Sequence, residues 1–124
     1  MLSLPPSVRI HLAAQPVDMR KGFDGLMAIV RTWGFDPFTG DLFVFVSRNR
    51  TRVKILHWDH GGFVLTYKRL EAGSFRVPLP KPGATKLHLD ATQLAMLLDG
   101  IDFSRVRRPQ IWMPPGGIDT RPQV

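Results

Sequence analysis

The chain has 124 residues, no cysteine and a formal net charge of +7, with 17 Lys and Arg side chains against 10 Asp and Glu. The absence of thiols excludes cysteine-based zinc sites, iron–sulfur clusters and thiol nucleophiles, and it fits a reducing, cytoplasmic location. A chain of this length favours one domain whose core needs no disulfide, and no apolar run is long enough to predict a membrane span or a signal peptide.

The first half of the chain predicts a strand, a helix and a turn. Apolar and polar residues alternate over 8–12, which predicts a short edge strand between the prolines of the N-terminal region. Apolar residues then recur at helical spacing over 19–33, with Asp18 available as the N-cap and Gly34 as the helix end. Residues 36–40 have the composition of a turn.

A sheet is predicted to follow. Residues 42–46, 52–58 and 63–68 each have strand patterning, and the short breaks between them predict an antiparallel meander. Alternation along these strands predicts one core face and one basic face. Residues 75–77 are compatible with a short fourth strand, after which three prolines between 78 and 82 are expected to end regular structure.

A second, shorter helix is predicted over 91–99, because Asp90-Ala91-Thr92-Gln93 has the form of a capping box. Together these elements predict one α+β domain over residues 1–108. We expect a small antiparallel meander of about four to five strands with one long and one short helix packed on one face. Residues 109–124 are rich in Pro and Gly, which predicts a mobile C-terminal tail.

The excess of positive charge lies in two stretches of the sequence. Residues 42–76 hold seven basic and two acidic side chains, and residues 105–124 hold four basic and one acidic. Most are arginines, whose planar guanidinium group matches phosphate oxygens bidentately. Cations at alternate positions of a ribbon point to the same side, where they can lie along a DNA backbone. The candidate nucleic-acid-binding residues are Arg48, Arg50, Arg52, Lys54, Lys68, Arg69 and Arg76. The alternative is a solvated outer face of the sheet.

Aromatic side chains are interleaved with these cations. A stacking platform for unpaired bases is one interpretation, but alternation favours a core position for Phe63, Tyr67 and Phe75. Trp58 is the exception, because it shares its strand face with Arg52.

The sequence predicts no catalytic, metal or cofactor site. His57, Asp59 and His60 lie close together, but a zinc site needs a further ligand that this segment lacks. No serine lies in a nucleophile-elbow motif and no glycine-rich phosphate loop is present. A magnesium-dependent nuclease using Asp24 or Asp59 is the disfavoured alternative. We therefore expect a protein that is not an enzyme.

Four ordered blocks, residues 17–26, 40–45, 52–59 and 62–71, resemble the TnpB-type (Orf2-like) accessory proteins of the IS66 class of bacterial insertion sequences. The resemblance covers roughly residues 8–108 and stops before the tail. It implies a small protein encoded beside a separate, larger transposase that holds the catalytic carboxylates, and it supplies no catalytic residue for this chain.

The resulting prediction is a non-catalytic accessory protein for DNA transposition. It would bind DNA, at the element ends or non-specifically, through the basic ribbon, and would have the element-encoded transposase as a second partner. The alternative is a protein–protein adaptor for the transposase that does not contact DNA. No oligomeric state is predicted.

Overall fold

The computed structural model describes residues 7–100, which form a five-stranded sheet and two α-helices. The elements are β1 (Ile10–Ala13), α1 (Phe23–Thr32), a 3₁₀ turn (Pro37–Thr39), β2 (Leu42–Val46), β3 (Arg52–Asp59), β4 (Gly62–Arg69), β5 (Lys86–Leu89) and α2 (Ala91–Leu98). The strand order is β4-β3-β2-β1-β5, so the expectation that the first strand lies at an edge of the sheet is wrong. Within these described residues, only β1 and β2 pair in parallel, and the other three neighbouring pairs are antiparallel. The predicted α+β class and the β2-β3-β4 meander are confirmed.

The two helices cover opposite faces of the sheet. Leu26 and Val30 of α1 pack with the Phe43 side of β2, whereas Leu94 and Leu97 of α2 lie in the core on the other side. The expectation that both helices lie on one face is therefore wrong. All five residues of β2 are buried, and an uninterrupted apolar strand of this kind needs cover on both of its faces.

The expectation of a wholly basic sheet face is wrong for the same reason. On β3, Val53 and Ile55 enter the α2-side core, while Leu56, of the opposite parity, enters the α1-side core. The cations therefore lie at the margins of an apolar face.

The start of α1 differs from the prediction. Gly22 is the N-cap of a helix that begins at Phe23. Asp18, the predicted cap, instead accepts a hydrogen bond on Oδ1 from the backbone N–H of Arg20 at 2.9 Å. This local turn competes with helix formation, a common behaviour of aspartate side chains. The segment 18–22 is consequently a loop.

The last strand of the sheet also lies elsewhere in the chain than predicted. Residues 75–77 form no strand, and Phe75 is a fully buried member of the α2-side core. The fifth strand is Lys86–Leu89, which pairs antiparallel with β1. The α2 capping box is confirmed, because Asp90 Oδ1 accepts from the Gln93 N–H at 2.7 Å and Gln93 Oε1 accepts from the Asp90 N–H at 2.9 Å.

The predicted domain end at 108 and the tail at 109–124 lie outside the described residues. Within residues 7–100, no helix has the length and apolar character needed to cross a membrane.

Candidate nucleic-acid interface

A basic turn, residues 47–52, joins β2 to β3. The Ser47 N–H donates to the Arg52 carbonyl oxygen at 3.0 Å, and the Arg50 N–H donates to the Ser47 carbonyl oxygen at 2.9 Å. Arg50 has a positive φ of 60°, a left-handed conformation that few non-glycine residues adopt. The two hydrogen bonds therefore hold the backbone of the turn in a tightly folded conformation around Arg50.

Polar side chains inside the basic turn fix its shape further. Asn49 Oδ1 accepts from the hydroxyl groups of Ser47 at 2.8 Å and Thr51 at 2.9 Å. The two arginines between these residues, Arg48 and Arg50, are exposed. The turn thus presents guanidinium groups from a backbone that internal hydrogen bonds hold in place, which lowers the entropy lost when a ligand binds.

The basic turn forms one wall of a groove of about 690 Å³, and the loop of residues 16–20 forms the other wall. We call this feature the basic groove. Its charged lining residues are Asp18, Arg20, Arg48 and Arg52. The Val17 N–H donates to the carbonyl oxygen of Val46 at 3.0 Å, so the second wall is attached to the end of β2. Three guanidinium groups thus face one carboxylate.

Asp18 and Arg20 form an ion pair within the groove. Arg20 donates from Nη2 to Asp18 Oδ2 at 2.7 Å and from Nε to both carboxylate oxygens at 3.1 Å. These hydrogen bonds lower the pKa of Asp18 to about 2, so the carboxylate is ionised at neutral pH. The charge of Arg20 is locally balanced by it.

Arg48 and Arg52 carry the unbalanced charge of the groove. Among the ion pairs of residues 7–100, neither arginine has a carboxylate partner. Both side chains are exposed. They are therefore available to an external anion without first breaking an ion pair within the described part of the chain.

Lys54 lies beneath the groove rather than in it. Only 8% of the residue is exposed, and its Nζ donates to the carbonyl oxygens of Met19 at 2.7 Å and Lys21 at 2.9 Å. The ammonium group also lies 5.0 Å from the centre of the Tyr67 ring, a cation–π distance. Lys54 therefore attaches the second wall of the groove to β3.

The remaining predicted cations are dispersed. Lys68 is on the α2 side of the sheet, where Nζ donates to the Leu98 carbonyl oxygen at 2.7 Å. Arg69 lies opposite Arg52 in the β3–β4 register and donates to Glu71 at 2.8 Å. Arg50 does not line the groove. Arg76 is exposed. Its neighbour Phe75 donates its N–H to the Arg50 carbonyl oxygen at 2.6 Å, so the backbone at Arg76 lies near the basic turn.

Asp18 and Arg20 line the groove but were not among the site residues predicted from the sequence. Their segment has no excess of charge, and no local pattern indicates that a loop before α1 will face the β2–β3 turn. The one available signal was that this loop lies in the first of the four family-like blocks.

Among the aromatic residues near the cations, the expected core position is wrong for Tyr67, which is 51% exposed, whereas the others take part in packing. Phe75 is buried. Trp58, Phe63 and Phe38 form a cluster with ring centres 5.0–5.1 Å apart, at the end of the β3–β4 hairpin away from the basic turn. In the described part of the chain, no group of three or more His, Asp or Glu side chains could hold a metal ion.

Comparison with known proteins gives consistent results. The family model of the IS66 Orf2-like proteins matches residues 8–108. The chain is 38% identical over 115 residues to the uncharacterized protein y4jC of Sinorhizobium fredii, covering 92% of this chain and 97% of that protein. It is 36% identical over 116 residues to the uncharacterized protein y4hO of the same organism, covering 92% and 96%. No solved structure matches the chain.

Proposed function

The chain belongs to the IS66 Orf2-like family, whose role is that of an accessory in an insertion sequence, and on that premise we propose that it binds DNA without catalysing a reaction. The contact is made by the basic groove and the neighbouring cations of the basic turn. In this proposal the protein acts beside the transposase of the element, which performs the chemistry.

The observation that supports the proposal best is the pair of guanidinium groups of Arg48 and Arg52 on one wall of the groove. Guanidinium forks bind phosphate oxygens through paired charge-assisted hydrogen bonds. Arg48 and Arg52 are four positions apart along the chain, and the hydrogen-bonded backbone of the basic turn fixes where the two residues lie relative to each other. Phosphate contacts of this kind position a protein on DNA but do not read its sequence.

Further cations lie around the groove. Arg50 is exposed on the same turn and Arg69 lies across from Arg52 on the neighbouring strand. Each phosphate that is neutralised releases counterions, so binding weakens steeply as salt is added.

The test is a double variant, Arg48→Ala with Arg52→Ala, compared with the matched control Arg9→Ala with Arg31→Ala. The control removes two exposed arginines from outside the groove and leaves the same net charge. Two lost phosphate contacts should reduce the slope of log K against log salt by about 1.8, equally for element-end and random DNA. An unchanged slope in the first variant, or an equal change in the control, would contradict the proposal.

The adaptor function rests on a different observation. Phe38 is 48% exposed although its ring packs against Trp58 and Phe63, and exposed aromatic clusters are typical of protein interfaces. The same titration separates the two functions. Failure of the wild-type protein to retard any DNA at low salt, together with capture of the transposase that survives nuclease and is lost in Phe38→Ala, would favour the adaptor.

A further inference from the structure

We propose that a second copy of this chain pairs with the outer edge of β4 and extends the sheet across a two-fold axis. Among the strands formed by residues 7–100, β4 is the last on its side of the sheet. It is eight residues long, whereas β5, at the other edge, has only four. A long edge strand is a template for pairing with another chain, and short edge strands are one way in which proteins prevent it.

The backbone groups that face outward follow from the register. The Leu70 N–H donates to the Thr51 carbonyl oxygen at 2.7 Å, so this pair belongs to the hydrogen-bonded set of the β3–β4 ladder. Hydrogen-bonded and open pairs alternate in an antiparallel ladder. The N–H and C=O groups of Phe63, Leu65 and Tyr67 therefore point away from β3 and are available to a further strand.

The side chains of β4 leave this edge unprotected. The segment 63–67 contains no charge and no proline. Val64 and Tyr67 are 38% and 51% exposed, and they are two of the five exposed large hydrophobic residues in the described part of the chain. The cations that follow are turned toward their own chain, because Lys68 bonds to the end of α2 and Arg69 to Glu71.

The occupant is a second copy because the strand is complementary to itself. An antiparallel pair centred on Leu65 places Phe63 opposite Tyr67 and Val64 opposite Thr66, each on the same face of the sheet, and allows about six backbone hydrogen bonds. Lys68 then faces Gly62 of the other copy, so the Lys68 and Arg69 side chains of the two copies lie at opposite ends of the strand pair. A parallel pair would place like charges side by side.

Such a dimer also has a consequence for DNA, which rests on the proposed function. A two-fold axis perpendicular to the sheet keeps both basic grooves on the same side. Each Arg52 lies one strand away from β4, opposite Arg69, which is four residues along the strand from Leu65. At ordinary strand spacings the two Arg52 positions of the dimer are therefore about 30 Å apart. This is close to the distance of about 34 Å between successive turns of a DNA duplex.

The test measures the oligomeric state of the full chain without DNA, by sedimentation equilibrium at about 100 µM protein and about 0.5 M salt, where charge repulsion is screened beyond about 4 Å. We expect a dimer that is strengthened by added salt, the opposite of the trend for DNA binding. A monomer under these conditions overturns the proposal, and protection of the Leu65 and Tyr67 amides in that monomer would assign the edge to residues 101–124 of the same chain.

Two variants at exposed positions test the register. Val64→Lys with Thr66→Lys creates two opposed pairs of like charge and should raise the dissociation constant at least tenfold at low salt, where these charges are not screened. Val64→Lys with Thr66→Glu creates two opposed pairs of opposite charge and should preserve or tighten the dimer. Urea denaturation shows whether both variants are folded. Equal effects of the two variants, or no effect of either, would overturn the pairing centred on Leu65.

Discussion

Replacing Lys54 with methionine should destabilise the fold and loosen the second wall of the basic groove. The substitution keeps an unbranched apolar stem in a buried position but leaves the carbonyl oxygens of Met19 and Lys21 without their donor. Hydrogen bonds from a charged donor contribute about 1.5–3 kcal/mol each, and the contact with the Tyr67 ring adds about 0.5–1 kcal/mol. Water can reach the loop once it moves, so the lower end of each range applies, and we expect a loss of about 3–4 kcal/mol.

The free energy of unfolding is measured by urea denaturation monitored by tryptophan fluorescence. An unchanged slope against urea would show that the change reflects stability rather than altered compactness. Lys81→Met is the matched control, because Lys81 is exposed and its replacement should change the free energy by less than about 0.5 kcal/mol. The reasoning is refuted if Lys54→Met falls within the range of that control, since the buried ammonium would then contribute no net stabilisation.

Two further predictions concern other parts of the fold. Burial lowers the pKa of His11 from 6.5, against the raising effect of its hydrogen bond to Asp41. The unfolded chain therefore binds more protons, and stability should fall as the pH drops below about 6.5 until the folded-state pKa is passed. Urea midpoints should lose this component in His11→Phe; an undiminished pH dependence would contradict it. Asp90→Ala removes the side-chain acceptor of the Gln93 N–H at the start of α2 and should cost about 1 kcal/mol, whereas Asp99→Ala, at the other end of α2, should cost little. Equal losses in these two variants would argue against a capping effect.

The parts of the fold that depend on local signals were predictable. The capping box at Asp90 and the apolar stripe of α1 depend on residues a few positions apart, and both helices are present, although α1 begins at Phe23 rather than at residue 19. β5 was missed because its four residues follow a proline-rich stretch and are strand only through pairing with β1, whose Ile10 lies opposite Leu89. The opposite placement of the helices had one signal, the unbroken apolar run of β2, because a strand of this kind needs cover on both of its faces.

The candidate site was predictable to a lesser extent. Alternation correctly placed Arg52 and Lys54 on one face of β3, but it could not show that the loop before α1 covers Lys54 and leaves Arg52 exposed. Arg20 was missed for the same reason, because the contact between the two walls of the groove joins segments about thirty residues apart. Charge patterning located the basic turn, and tertiary packing selected which of its cations face the groove.

The position of β1 in the sheet has a consequence for the order in which the chain folds. β2, β3 and β4 are joined by short turns, so their pairing closes only small loops. β1 is inserted between β2 and β5, and its pairing of Ile10 with Leu89 joins residues from the two ends of the described chain. Closing such a long loop costs more entropy and slows the step that requires it. The meander can therefore form while the chain is still being synthesised, whereas the sheet is completed only after β5 has left the ribosome.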